Sequence, residues 1–184
     1  MKKDIGAVRA LYPTPSIVVG MIVDGKVNWI QIAYIGIVGT EYILLSSNKA
    51  HYSNKGIKEN KAASVNIVSE ALLAKADYVG SVSGAKIDKS GVFDYHMGAL
   101  NVPVIEESPV VMECELVDTY DSKDYDNFIL KVVHTHVEES SLTKDGKIDY
   151  EKVKPVLFEM PTYSYLKTGD KIAKCGSIGG QYKA

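Results

Sequence analysis

Residues 13–35 read PTPSIVVGMIVDGKVNWIQIAYI and residues 42–53 read YILLSSNKAHYS, and this stretch decides the fold. β-Branched and other apolar residues fill Ile17 to Val23, and a second such run extends from Val27 to Ile35. The dipeptide Asp24-Gly25 between the two runs is a strong signal for a two-residue type I′ turn. We therefore predict that a β-hairpin opens the fold.

The rest of the sequence predicts short strands and a few short helices. Further strands are expected at Tyr42 to Leu45, Ala63 to Val68, Val110 to Tyr120 and Phe128 to Glu138. Helices are expected at Tyr52 to Asn60, from an N-cap at Ser69 to near Gly80, and from Asp149 through Lys154 before Pro155. Residues 84–104 show no periodicity and predict an excursion over the surface that could cover a ligand.

These elements predict one mainly β (α+β) domain over residues 1–184. Closing the strands into a small barrel is the economical way to remove sheet edges. The 184 residues are 46% hydrophobic, enough for one sizeable core, and we find no repeat or linker that divides them.

Composition excludes several classes of partner. The formal net charge is −2 and the sequence pI is about 6.1, so the chain lacks the basic field that nucleic acids require. No apolar run approaches the roughly 20 residues of a membrane span. The N-terminus lacks a secretory signal, and Cys114 and Cys175 do not form a C-x-x-C pair. We therefore expect a cytoplasmic protein with reduced thiols.

The turn after the third strand has the composition of an anion site. Residues 46–53 read SSNKAHYS and lead into a short helix. Hydroxyls, a lysine and the free amides of a helix start, all held at a strand end, suit a dianionic phosphate. An ordinary polar turn is the alternative, but the pattern points to a phosphorylated cofactor.

Several segments follow one another in a telling order over residues 13–170: Pro13-Thr14-Pro15, the strand residues 27–38, His51-Tyr52-Ser53, Val65-Asn66, residues 83–89 and Met112-Glu113-Cys114. In this order and spacing the chain resembles the flavin reductase-like family, near flavoredoxin. The resemblance implies an FMN-binding split β-barrel that forms a homodimer with the flavin near the subunit interface. The chain departs from the family pattern at Asn48, where an arginine is usual, and at Ala50, where a serine is frequent. Lys49 or His51 would then supply the phosphate cation.

The resemblance also implies the cofactor-binding residues. They are Asn28, Trp29, Ile30, Gln31, Ile32, Ala33 and Tyr34 on the second strand, Ser46, Ser47, Asn48, Lys49, His51 and Ser53 in the phosphate turn, Ser83, Gly84 and Lys89, and Tyr163 near the C-terminus. In this interpretation Lys89 reaches the N1–C2=O edge of the flavin, and Tyr163 or Tyr165 packs over the ring. The competing interpretation of Trp29 is that it packs in the barrel.

The expected activity is oxidoreduction by bound FMN, with NADH, NADPH or a redox partner protein as electron donor. The flavin carries the chemistry, so we predict no catalytic side chain. No G-x-S-x-G motif and no G-x-G-x-x-G after a strand is present. His134 and His136 share a strand face, but no third ligand at a telling spacing predicts a metal. The alternative function is a non-catalytic FMN-binding or storage module.

Overall fold

The computed structural model describes residues 1–182 and consists mostly of β-strands. The strands are β1 (Thr14–Pro15), β2 (Ile17–Val23), β3 (Lys26–Ile32), β4 (Ile35–Ile37), β5 (Tyr42–Asn48), β6 (Ala62–Ile67), β7 (Tyr95–Met97), β8 (Pro103–Ile105), β9 (Val110–Ser122), β10 (Tyr125–Val137), β11 (Leu157–Glu159) and β12 (Ser164–Leu166). The α-helices are α1 (Ser53–Asn60), α2 (Leu73–Ser81) and α3 (Tyr150–Val153). Short 3-10 turns occupy Glu139–Ser141 and Ile178–Gln181.

Seven strands form one curled antiparallel sheet in the order β3-β2-β6-β9-β10-β5-β4. The predicted hairpin is its first pair: Met21 lies opposite Asn28 and Val23 opposite Lys26, with Asp24-Gly25 at the turn and both of these residues at positive φ. The smaller sheets β1-β11-β12 and β7-β8 lie beside it. The mainly β fold with few short helices is therefore confirmed.

Successive side chains along a strand point to opposite faces of the sheet, and the two faces form two hydrophobic cores. Inward-facing residues of the curled sheet, such as Ile30 and Phe128, form the larger core together with Ile57 of α1. The opposite face of β3 carries Trp29, which packs against α2 and Phe93 in the second core. Both faces of β3 are therefore covered, one by the barrel core and the other by α2.

Three segments differ from the sequence-based expectation. The strand predicted to reach Ile35 stops at Ile32, because Ala33 and Tyr34 leave the sheet. The chain re-enters it as β4, against β5. Helix α2 begins at Leu73 and not directly after Ser69. Ser69 instead starts a turn, in which the backbone N–H of Leu72 donates a hydrogen bond to the carbonyl oxygen of Ser69.

The region 84–104 is less irregular than expected. It contains the hairpin of β7 and β8, and Phe93, Val102 and Val104 are buried. Short strands with buried residues at uneven spacing give no periodicity, so the pattern missed them.

By contrast, the predicted helix cap at Asp149 is confirmed: the Asp149 carboxylate accepts a hydrogen bond from Glu151 N–H at 3.2 Å.

The lengths of the helices and the positions of the two cysteines complete the description of the fold. None of the helices within residues 1–182 is long and apolar enough to cross a membrane. Cys114 is buried and Cys175 is exposed, and neither forms a disulfide.

Gly56 allows α1 to lie against the β2–β3 hairpin, and its substitution tests this packing. A Cβ there would overlap the carbonyl oxygen of Ile22 and would lie 2.7 Å from Val23 and 2.9 Å from Met21. We expect Gly56→Ala to lower the free energy of unfolding by about 1–3 kcal/mol, the usual effect of overpacking. Urea denaturation of the wild type and the variant measures this difference in the free energy of unfolding. Gly91→Ala is the control, because nothing lies within 4 Å of its Cβ position, and equal stability of the two variants would contradict the packing.

Candidate functional site

Two adjoining cavities lie where β3, the turn after β5 and the C-terminal end of α2 meet. The larger has a volume of about 550 Å³ and the smaller about 230 Å³. His51, Gly80 and Ser81 line both, so the cavities are neighbours. The larger volume is within the roughly 300–1,000 Å³ of ordinary ligand pockets.

The large cavity is lined by aromatic rings. They are contributed by Tyr34, Tyr125, Phe158, Tyr163 and Tyr165. The rings of Phe158 and Tyr165 are 5.5 Å apart, and those of Tyr34 and Tyr125 are 6.0 Å apart. Tyr163 is 75% exposed and has a left-handed backbone with φ of 53°, which is costly for a tyrosine. Such walls suit a flat, conjugated ligand.

Helix α2 presents one face to the large cavity. Asp77, Gly80 and Ser81 line it, at the i, i+3, i+4 spacing of a helix face, while Ala76 and Val79 point into the second core. A Cβ at Gly80 would lie 2.9 Å from Gln31 Oε1. Glycine at this position therefore lets the helix approach the Gln31 side chain.

A chain of hydrogen bonds crosses this end of the cavity. The Tyr165 hydroxyl lies 2.6 Å from Asp77 Oδ1 and 3.0 Å from the Gln31 side-chain amide. The same amide lies 2.8 Å from Ser16 Oγ. Burial, followed by the hydrogen bond to Asp77, raises the pKa of Tyr165 to about 12, so the phenol keeps its proton.

Hydrogen-bond donors converge on the small cavity. Ser53 Oγ accepts from Asn28 Nδ2 at 2.8 Å, which leaves its own hydrogen free to donate. Ser83 Oγ likewise accepts from Ala85 N–H at 3.3 Å. Lys89 Nζ donates to the carbonyl oxygens of Val79 at 3.0 Å and Val82 at 3.1 Å, so one of its three protons has no acceptor among residues 1–182.

The charge of the small cavity resides on Lys89, whose side chain is almost fully buried. Burial lowers its pKa to about 8. Burial also lowers the pKa of His51, and the nearby Lys89 charge adds to this effect. His51 is therefore neutral at pH 7, and Lys89 is the cation of this site.

The segment 46–53, predicted as one polar turn, is divided between the end of β5, which continues to Asn48, a short turn at 49–52 and the start of α1 at Ser53. Ser46 and Asn48 line the large cavity and Ser53 the small one. Ser47 points inward and lies 3.1 Å from His51 Nδ1 and 2.6 Å from Asn54. Lys49 pairs with Asp121 and lines neither cavity.

Comparisons with known proteins agree on one family. Residues 9–163 match the flavin reductase like domain. The chain belongs to the flavin reductase-like family. Flavoredoxin from Methanosarcina acetivorans superimposes with a TM-score of 0.93 at 34% identity, covering 97% of each chain. Flavoredoxin of Desulfovibrio vulgaris (Miyazaki F) superimposes with a TM-score of 0.91 at 34% identity, covering 97% of this chain and 100% of that one.

More distant relatives show the same fold. The FMN-binding protein from Thermus thermophilus has a TM-score of 0.79 at 21% identity, covering 95% of this chain and 99% of that one. The expected split barrel is therefore confirmed. An Aeropyrum pernix protein is 27% identical over 139 residues, or 69% of this chain, and the alignment spans about half (51%) of its length. Family membership supports a flavin-related redox role with a flavin cofactor.

Most residues that the flavin reductase-like resemblance implied lie at the two cavities. Those on the large cavity are Gln31, Ile32, Ala33, Tyr34, Ser46, Asn48, His51 and Tyr163, and those on the small one are Ile30, His51, Ser53, Ser83, Gly84 and Lys89. Asn28 lies behind Ser53 and supports it. Four of the implied residues line neither cavity, namely Asn28, Trp29, Ser47 and Lys49.

The competing interpretation is that Trp29 packs in the barrel, but its side chain lies in the second core, on the face of β3 that is covered by α2. Its ring meets Phe93 edge-to-face at 5.3 Å on the α2 side of β3. Its Nε1 has no hydrogen-bond partner among residues 1–182, which nothing in the structure explains. His136 Nε2 lies 2.7 Å from Glu113, and no group of three or more metal-ligating side chains occurs within residues 1–182.

Sequence reasoning missed several residues of the large cavity. They are Ser16, Asp77, Gly80, Ser81, Tyr125, Phe158 and Met160. The helical spacing of Asp77, Gly80 and Ser81 was the available signal. Ser16 lies between β1 and β2, Phe158 lies in β11 and Met160 follows β11, so these residues are far apart in sequence and nothing local marks them.

Burial of Lys89 predicts a specific pH dependence of stability. Below a pH of about 8 the lysine is charged in both the folded and the unfolded chain. Between about 8 and the ordinary value of 10.5, the unfolded chain holds the proton that the folded chain has lost, so stability rises with pH. We expect the free energy of unfolding of the wild type, minus that of Lys89→Met, to increase across this window.

Chemical denaturation of the flavin-free protein on both sides of this window measures the difference. Lys86→Met is the control, because Lys86 is an exposed lysine of the same loop. The free energy of unfolding of the wild type, minus that of Lys86→Met, is expected to stay constant across the same pH window. A Lys89 difference that stays flat or falls with rising pH would show that the ammonium is not buried.

Proposed function

We propose that this flavin reductase-like protein binds FMN and acts as an FMN-dependent oxidoreductase of the flavoredoxin or flavin reductase type. One observation carries the proposal: Ser53, Ser83 and Lys89 direct uncommitted donors into a small cavity that adjoins an aromatic-lined large one. An isoalloxazine ring has a flat conjugated body and an acceptor-rich polar edge. The aromatic walls fit the flat body of the ring, and the donors fit its acceptor-rich edge.

The proposed orientation places the polar edge of the ring in the small cavity. Lys89 has a single free proton and is desolvated, which suits one neutral acceptor atom. A dianion costs far more to desolvate than a neutral edge. The phosphate is therefore assigned to the other side of the site, near Ser46 and Asn48. Arg9, an exposed cation that contacts the Tyr34 hydroxyl, lies on the Tyr34 side of the large cavity.

The residues of the chain would bind, orient and tune the cofactor. When bound, FMN supplies the capacity to accept and release a hydride or electrons. Lys89 places positive charge beside the ring edge where negative charge gathers on reduction, and this favours reduction. Tyr163 and Phe158 would cover the ring and exclude water. No protein nucleophile or general acid is required.

An anaerobic titration tests the proposed activity. The purified protein is loaded with FMN, and its absorbance is followed while NADH, NADPH or a reduced iron–sulfur protein is added. Bleaching at a catalytic rate by any of these donors supports the oxidoreductase. A yellow protein that none of them reduces would instead be a non-catalytic FMN-binding module.

Comparing FMN with riboflavin tests the orientation. Ser46→Ala should lower the affinity for FMN about tenfold, because a hydrogen bond to a charged group contributes about 1.5–3 kcal/mol. The same substitution should change the affinity for riboflavin little, because riboflavin has no phosphate. Ser53→Ala should weaken both ligands equally, because Ser53 faces the ring edge. Fluorescence titration of each flavin measures the affinities. The reverse pattern would place the phosphate in the small cavity, as the sequence of the turn first suggested for Ser53.

We also propose a homodimer formed through the outer face of β5, β10 and β9. Ser46, Asn127 and Tyr120 lie side by side across these strands, so the face continues from the large cavity. Tyr120 is 69% exposed, and Tyr42 is exposed on the same face. A second copy would cover these rings and place the flavin near the interface. The single-domain chain and its unpaired cysteines are consistent with a cytoplasmic dimer.

A charge on this face should disrupt the dimer. We expect Tyr120→Glu to shift the protein toward monomers in sedimentation velocity and to weaken FMN binding, because an unpaired charge is costly to bury. Tyr150→Glu, on α3, is the matched control because Tyr150 is also exposed. A wild type that is monomeric when loaded with FMN, or a Tyr120→Glu variant that stays dimeric, would contradict the proposal.

A further inference from the structure

The large cavity is proposed to hold the phosphate of a flavin, yet its described walls supply no permanent cation. No lysine or arginine of residues 1–182 lines it. His51 lines it but is neutral at pH 7, because burial and the charge of Lys89 lower its pKa. Lys49 pairs with Asp121, and Lys89 donates to two carbonyl oxygens beside the small cavity. A dianion in the large cavity therefore needs a cation from outside these walls.

Arg9, the only arginine of the sequence, lies at the rim of this cavity. Its Nη1 donates a hydrogen bond to the Tyr34 hydroxyl, and its Nη2 lies 3.2 Å from Met160 Sδ. Tyr34 and Met160 both line the large cavity. The guanidinium also lies over the Tyr34 ring, with its central carbon 5.2 Å from the ring centroid. The cation is therefore held by side chains that form the cavity wall.

The protein partners of Arg9 leave most of its hydrogen-bonding capacity unused. A guanidinium has five N–H donors, and two of its nitrogens meet the phenol of Tyr34 and the thioether of Met160. A thioether sulfur is a weak acceptor, and no aspartate or glutamate within residues 1–182 forms an ion pair with Arg9. Phosphate oxygens match the planar donor fork of arginine and accept two parallel hydrogen bonds from it. A phosphate would therefore be a stronger partner than those that Arg9 has in the described chain.

The contacts of Tyr34 place Arg9 on the same side of the cavity as Ser46 and Asn48. The backbone N–H of Ser46 donates to the carbonyl oxygen of Tyr34 at 2.9 Å. The Tyr34 ring is 6.0 Å from that of Tyr125, and Tyr125 lies opposite Asn48 in the ladder of β5 and β10. The proposed orientation assigns the phosphate to this side. Arg9 thus approaches the assigned position from outside the barrel.

The segment that carries Arg9 has no regular structure before β1. Residues 1–12 form no helix or strand, whereas Thr14 pairs with Phe158 in the ladder of β1 and β11. Arg9 precedes Thr14 by five residues, an extended reach of about 17 Å. Between them, the side chain of Leu11 is 91% exposed and packs in neither core. Arg9 can therefore turn from Tyr34 toward an anion in the cavity without breaking a strand pair.

We infer that Arg9 pairs with the phosphate of bound FMN and that residues 1–12 then close this side of the large cavity. Arg9 determines specificity in this assignment, because it contributes to the affinity for FMN and not to that for riboflavin. The inference deepens the proposed function and rests on it, because the anion is part of the proposed cofactor. It adds a segment outside the barrel to a site that is otherwise built from strands, loops and α2.

Two substitutions of Arg9 and one control test the assignment. Fluorescence titration measures the affinities of each full-length variant for FMN and for riboflavin. Arg9→Met removes the charge and the donors, so it should lower the affinity for FMN at least tenfold and leave that for riboflavin unchanged. Arg9→Lys keeps the charge but loses the donor fork, so its affinity for FMN should fall between those of the wild type and Arg9→Met. Lys3→Met is the control, because Lys3 is an exposed cation of the same segment, and it should match the wild type.

Tryptic cleavage after Arg9 is an independent readout of the closed segment. Saturation with FMN should slow this cleavage in the wild type, because the bound phosphate occupies the side chain that trypsin recognises. Saturation with riboflavin should leave the rate unchanged. Equal rates of cleavage without flavin and with saturating FMN would contradict the closure.

The outcomes separate this inference from the proposed function. If Arg9→Met binds FMN as tightly as the wild type, or loses FMN and riboflavin equally, the role of Arg9 is wrong and the flavin site stands. A wild type that binds neither flavin overturns the proposed function and this inference together. Loss of FMN affinity alone in Arg9→Met, with partial recovery in Arg9→Lys, supports the assignment.

Discussion

Burying the ammonium group of Lys89 requires acceptors in place of the water that it loses. The carbonyl oxygens of Val79 and Val82, at the C-terminal end of α2, are those acceptors. Helix carbonyls at this end carry partial negative charge, so the helix end and the lysine stabilise each other. The contact fixes the loop that carries Ser83 and Lys89 against α2. Because α2 also packs on β3, the same contact determines the shape of the small cavity.

The site is polarised as a consequence. Uncommitted donors gather around Lys89, whereas at the other end hydrogen bonds connect Ser16, Gln31, Tyr165 and the Asp77 carboxylate. Aromatic side chains line the space between. A ligand with an acceptor-rich edge and a flat body therefore has one favourable direction. The fold thus sets ligand polarity through a few fixed hydrogen bonds.

Local patterns predicted the strands and missed the parts that depend on distant contacts. The Asp24-Gly25 hairpin and the alternating β9 and β10 follow from turn chemistry and a period of two, and both were predicted. The break after Ile32 was not, because it depends on where β4 meets β5. Likewise, the polar turn marked Ser46 and Ser53, but only tertiary structure shows that they face different cavities and that Asp121 pairs with Lys49. Cavity walls built from the ends of β-elements have no local signature.

A crystal structure of the FMN-loaded protein tests the central claim most directly. The account predicts the polar edge of the ring in the small cavity, with Lys89 Nζ and Ser53 Oγ within hydrogen-bonding distance, and the ring body between Tyr34 and the Phe158–Tyr163 wall. It would be contradicted by a small cavity without flavin while the ring lies elsewhere on the protein.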